Sequence, residues 1–77
     1  MSTKLTEIIT SILHIPADRV ADGLSMAEVE SWDSLQHMNL IASLEQAYGI
    51  ELTFEEIVQM QNVGEIKRVL ASKGTEI

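Results

Sequence analysis

Residues 31–49 read SWDSLQHMNLIASLEQAYG, and the two ends of this stretch mark out a helix. Asp33 is placed to accept from the backbone N–H of Gln36, while the Gln36 side chain reaches back in the reciprocal arrangement of a capping box. The body is expected to run over residues 34–48, and Gly49 supplies the left-handed residue on which helices commonly close. Upstream, Leu5, Ile8, Ile9, Ile12 and Leu13 recur at three- and four-residue steps, the spacing of one helix face. A first helix is therefore expected over about residues 3–14, ended by Ile15-Pro16, where the proline ring restricts its predecessor and removes a donor. Between the two helices, residues 16–32 carry apolar anchors at Val20, Leu24, Met26 and Val29 but no sustained period, which implies a long ordered loop with room for one helical turn.

Downstream, Ile50, Leu52 and Phe54 are expected to carry apolar contacts through a connecting segment. Thr53 with Glu56, and Asn62 with Glu65, repeat the capping-box pattern and open helices over about residues 54–60 and 63–73. On the last of these Val63, Ile66, Val69 and Leu70 face inward, and Gly74 is its stop. The alternating stretch 49–54 resembles a strand, but an isolated strand has no ladder partner. The expected fold is all-α, a four-helix bundle with a long first loop and a short third helix, in one domain spanning residues 1–77.

The whole chain has 77 residues, which allows one core and excludes a two-domain enzyme. Hydrophobic residues make up 45% of it, too many for a disordered chain. With 12 acidic against 5 basic residues the net charge is −7, which repels nucleic acid and favours partners with basic patches. There is no cysteine, hence no disulfide, thiolate metal site or cysteine nucleophile. No stretch reads as a signal peptide or membrane span, so a soluble, cytoplasmic monomer is expected.

The chemistry concentrates at Ser34, a hydroxyl in the first turn of a helix directly after its acidic cap. Free N–H groups and the positive end of the dipole make that position favourable for a phosphate. On the triplet Asp33-Ser34-Leu35 alone, an ordinary first-turn serine serves as well. The wider pattern is more specific: the small acidic chain, the triplet after a helix and long loop, the run LEQAYGIEL over 44–52, and the acidic opening TFEE over 53–56. With these features the sequence resembles the acyl carrier protein family, the phosphopantetheine-attachment or thiolation domains, over nearly its whole length.

That resemblance implies that Ser34, flanked by Asp33 and Leu35, is esterified by 4′-phosphopantetheine, which a separate phosphopantetheinyl transferase supplies from coenzyme A. The arm's terminal thiol then holds acyl cargo as a thioester for loading and processing enzymes of fatty-acid, polyketide or related biosynthesis. The protein would be a carrier with no catalysis of its own, the chemistry belonging to the arm and to its partners. A cofactor-borne thiol also suits a chain without cysteine. The implied partner surface comprises Leu35, Met38 and Ala42, with Glu45, Glu55 and Glu56 for basic docking patches. The implied acyl pocket, between helices two and three, comprises Leu40, Leu44, Leu52, Ile57 and Met60. Bulky Ile57 and Met60 predict a tight pocket for short, polar or unsheltered cargo.

The sequence also departs from the family. Glu30-Ser31-Trp32 stands where many members place an aliphatic residue and a glycine, so Trp32 is expected to anchor the loop through its apolar area, with His37 as a poor staple partner. Helix two carries one charge, Glu45, where the family is often acidic; this favours an aminoacyl or peptidyl carrier as the alternative. His37 lies within reach of Ser34 but shows no orienting third group, and is expected to be a solvated helical histidine rather than a base. The segment 18–23 resembles the start of an EF-hand loop, yet Val20 and Val29 occupy ligand positions, and His14 and His37 lie apart, so no metal site is expected. A cofactor-free helical interaction module is the remaining rival. Met1 just ahead of the first helix suggests a freestanding carrier.

Overall fold

In the computed structural model, which describes residues 3–75, the chain forms four α-helices: α1 (Thr3–Leu13), α2 (Ser34–Tyr48), α3 (Phe54–Gln59) and α4 (Val63–Ser72). The expected all-helical bundle is what forms. Among the described residues the one extended pairing is an isolated antiparallel bridge between Ser25 and Asn62. The core follows the sequence periodicity, with Leu5, Ile9 and Leu13 of α1 meeting Leu40, Ile41 and Leu44 of α2, and Ile66, Val69 and Leu70 of α4 closing the third side. Truncating any of these leucines or isoleucines to Ala would cost about 2–5 kcal/mol through lost burial and the void left behind.

The helix boundaries have local causes. α1 stops at His14, which takes a left-handed φ of 56°, a region that histidine enters more readily than most side chains. Pro16 then prevents resumption, and the Ser31 hydroxyl, 2.5 Å from the Leu13 carbonyl, satisfies one of the acceptors stranded at the helix end. α2 begins on the Asp33 cap and ends on Gly49 at φ 65°. The Asp33 carboxylate accepts from the Gln36 N–H at 2.9 Å, but the expected reciprocal bond is not made, because the Gln36 amide oxygen accepts from the Asn39 side chain one turn along. Thr53 and Glu56 form the full reciprocal box at the start of α3. Asn62 caps α4 in one direction, since Glu65 turns to Arg68 instead.

The long connection between α1 and α2 holds two single 3₁₀ turns, Ala17–Arg19 and Met26–Glu28, where one helical turn was expected. Its order comes from stitching to the α3–α4 link. Val63 and Gly64 donate backbone N–H bonds to Leu24 and Asp22, both at 2.9 Å, and Met26 donates to Gln61 at 2.8 Å. Gly64 permits this approach, since a Cβ there would sit 3.2 Å from the Asp22 carbonyl oxygen. Val29 and Trp32 plug the loop into the core.

α3 is the exception in packing. None of its side chains is fully buried. Ile57 packs partly against the core, but Phe54, expected to contribute an inward contact, is 80% exposed. Phe54 is the first residue of α3, and its ring stays at the surface beside Val58 one turn on, which is also exposed. A polar tie helps hold the helix: Lys73 Nζ lies 2.8 Å from Glu56 Oε1. That ammonium, with the Thr53 backbone N–H and hydroxyl, holds the Glu56 carboxyl below the ordinary glutamate value of 4.5, against a smaller opposing effect of burial.

Candidate functional site

The first turn of α2 sets the site. The extended backbone of Asp33 turns the chain into the helix and spends its carboxylate on the Gln36 N–H, leaving Ser34 as the first helical residue. Ser34 is exposed, and its hydroxyl has no hydrogen-bond partner among the described residues. Next to it, Leu35 and Met38 are 70% and 52% exposed, and Phe54 and Val58 project from α3, one turn apart on the same face. Four large apolar side chains on the surface of a chain with net charge −7 form a surface that buried packing does not explain.

An open groove of about 240 Å³ runs between α2 and α3 beside Ser34, walled by Met26, Met38, Phe54, Ile57 and Val58. Of the five residues named for an acyl pocket, Ile57 alone lines it. Leu40, Leu44 and Met60 are fully buried and Leu52 nearly so, all in the closed core. A larger depression of about 330 Å³ between α1 and α2, lined by Ile8, Ile12 and Ala47, shares no residue with the groove and none with the first turn of α2.

The acidic residues separate by role. Glu55 is exposed, and its side chain makes no hydrogen bond or ion pair among the described residues. Glu56 is committed to Thr53 and Lys73, and Glu45 Oε2 accepts from the Leu52 N–H at 2.9 Å, which ties the post-helix segment to α2. Ala42 is exposed on α2.

His37 is not the solvated helical histidine that was expected; it is 7% exposed. Trp32, itself 2% exposed, donates its Nε1–H to His37 Nδ1 at 3.0 Å, and the two rings lie 6.1 Å apart at 30°. The other ring nitrogen, Nε2, is 2.9 Å from the Ile57 carbonyl oxygen. Trp32 thus anchors the loop, as its apolar area implied, and its staple partner is strong through a hydrogen bond. With both nitrogens occupied, His37 has no free lone pair to act as a base on Ser34. The position of His37, five residues after Trp32 across the cap, was legible as a staple; the Ile57 carbonyl, 20 residues away, was not. Phe54 and Val58 were likewise missed as site residues, although their four-residue spacing put them on one face.

An exposed, unpartnered hydroxyl at the positive end of a fifteen-residue helix fits a phosphodiester. A family model for the phosphopantetheine attachment site matches residues 3–70. The chain belongs to that family. It is a phosphopantetheine-attachment carrier domain, and 4′-phosphopantetheine is its cofactor. The chain is also similar to an acyl carrier protein of Thermosynechococcus vestitus (strain NIES-2133 / IAM M-273 / BP-1), 29% identical over 70 residues that cover 91% of this chain and 86% of that relative. Carrier domains work with transferases and biosynthetic enzymes. Among the described residues no helix is long and apolar enough to cross a membrane.

Proposed function

We propose that the protein is a monomeric acyl carrier whose arm is attached at Ser34, and that it presents acyl groups to enzymes of fatty-acid, polyketide or related biosynthesis. The observation that carries the assignment is the exposed Ser34 hydroxyl, free of internal bonds in the first turn of α2. When bound, the arm supplies a thiol that holds the cargo as a thioester. The chain's own residues do the rest. Asp33 fixes the turn that exposes Ser34, the first-turn N–H groups face the phosphate, and Leu35, Met38 and Phe54 offer partners an apolar contact. The attachment reaction belongs to the transferase, and this chain contributes the Ser34 hydroxyl to it.

Partners dock through the apolar contact, with Asp33 and Glu55 meeting basic residues at its edge and Ala42 extending it along α2. Glu45 and Glu56, held in internal bonds, offer the outer faces of their carboxylates at most. The open groove beside Ser34 suits short, polar or unsheltered cargo, with Ile57 as its inner wall. The weakly charged α2, with Glu45 turned to the Leu52 N–H, favours a second reading as an aminoacyl or peptidyl carrier.

The test is intact mass after incubation with coenzyme A and a broad-specificity phosphopantetheinyl transferase. The wild type should gain one phosphopantetheine and Ser34→Ala none. A folded wild type that gains nothing, with its own transferase as well, leaves a cofactor-free interaction module.

A further inference from the structure

α3 buries no side chain completely, yet it forms one wall of the groove beside Ser34 through Phe54, Ile57 and Val58. On its outer side it is tied to Lys73 through Glu56. On the side facing α2 its polar tie is the bond between His37 Nε2 and the Ile57 carbonyl, and that bond is conditional. An indole N–H can only donate, so Nδ1 must carry a lone pair to receive Trp32; a carbonyl can only accept, so Nε2 must carry the hydrogen. Both bonds coexist in one neutral tautomer alone.

A proton on Nδ1 would set two N–H groups against each other where both side chains are more than nine-tenths covered. The Trp32 bond would be lost and a charged ring held away from water. No neighbouring charge stabilises it in place. On α2, Asp33 is occupied by the Gln36 N–H, and the positive end of that helix opposes a cation. On the loop, Glu28 takes the Ser25 hydroxyl and Glu30 is exposed; on α3, Glu55 is exposed and Glu56 is held by Thr53 and Lys73. Lys67 and Arg68 on α4, and Lys73 just past its end, are each paired with a carboxylate.

We infer that His37 is a positioning residue that holds α3 against α2 and so sets the width of the groove beside Ser34, and that protonation of its ring releases both Trp32 and α3. The latch does not depend on the arm; only the groove's use in sheltering cargo rests on the carrier reading. Acidification would widen the groove and free Phe54 and Val58 to move with α3, which alters what the arm and its partners meet.

The test uses the unmodified protein. Trp32 is the chain's one tryptophan, so its emission reports on this bond alone. Emission and amide exchange are followed from about pH 8, above the range in which free imidazoles take up a proton, down to the onset of acid unfolding, because a buried, uncompensated cation resists forming. The wild type should show a one-proton step in emission. Across the same step α3 amides should exchange about fivefold faster, after correction for intrinsic rates, while α1 and α4 keep their protection. His37→Gln, which keeps a neutral donor toward Ile57, should show neither change, and His14→Gln should behave as the wild type. If His37→Gln does not fold, the imidazole nitrogen shifts of the wild type decide: Nδ1 must be the bare nitrogen at neutral pH. A flat wild-type profile, an equal step in His37→Gln, or a hydrogen on Nδ1 overturns the latch. A failed mass gain with the step intact removes the carrier reading instead, so the two failures are separable.

Discussion

Replacing His37 by Leu keeps a buried side chain of similar breadth and removes both ring nitrogens. The Trp32 N–H then has no acceptor at a position 2% exposed, whereas the Ile57 carbonyl still receives the Met60 N–H at 3.3 Å. The stranded donor sets the cost, about 1–3 kcal/mol. Trp32→Phe strands the complementary lone pair on Nδ1 and leaves a void where the smaller ring of the indole was, for about 2–4 kcal/mol. The double variant strands neither group and keeps only the void, so it should be less destabilised than the sum of the single changes by at least the stranded donor's share, about 1–3 kcal/mol. Urea unfolding followed by far-UV circular dichroism measures this without the tryptophan, and an unchanged m-value makes the midpoints comparable. In a chain of this size each kcal/mol moves Tm by about 4–8 °C, so the coupling is well within reach of thermal melts too. Single costs that add to within about 0.5 kcal/mol would refute the hydrogen-bonded staple, since independent sites add in that way.

Phe54→Ser should change stability by no more than about 0.5 kcal/mol, because the ring is exposed. It should raise the KM of a cognate transferase about tenfold with kcat unchanged, the effect of removing an aromatic covered only in the complex; an unfolded variant or an unaltered KM contradicts the docking role. For Glu56, Lys73 and Thr53 depress the folded pKa below 4.5, so the unfolded chain binds the proton more readily. The stabilisation is therefore complete above pH 4.5 and is lost as the pH falls through the lower folded value, and Glu56→Gln should abolish that part of the acid limb in denaturant titrations. Added salt should raise Tm, because screening seven excess negative charges outweighs weakening three largely superficial ion pairs, and a Tm indifferent to salt would count against this balance.

Sequence alone determined where the helices lie, because each boundary is a local device: a side chain bonding an N–H three residues on, a glycine at positive φ, a proline three residues past the end. It also determined the place of Ser34, since the first turn of a capped helix exposes its first residue whatever packs elsewhere. Even so, local signals failed where two partners competed for one side chain, as when Gln36 chose Asn39 over the Asp33 N–H. Which apolar residues serve the core and which face the site was a tertiary decision. Phe54 and Leu52 are two residues apart in similar surroundings, yet one is 80% exposed and the other 9%. The fate of His37 was decided in the same way. Its position on α2 was readable, but its burial and single tautomer depend on α3 folding back to bring the Ile57 carbonyl, 20 residues distant, against its second nitrogen. Local rules act through bonds that span three or four residues; a side chain's polarity partner and exposure are set by which element covers it, and that is known only when the helices have packed.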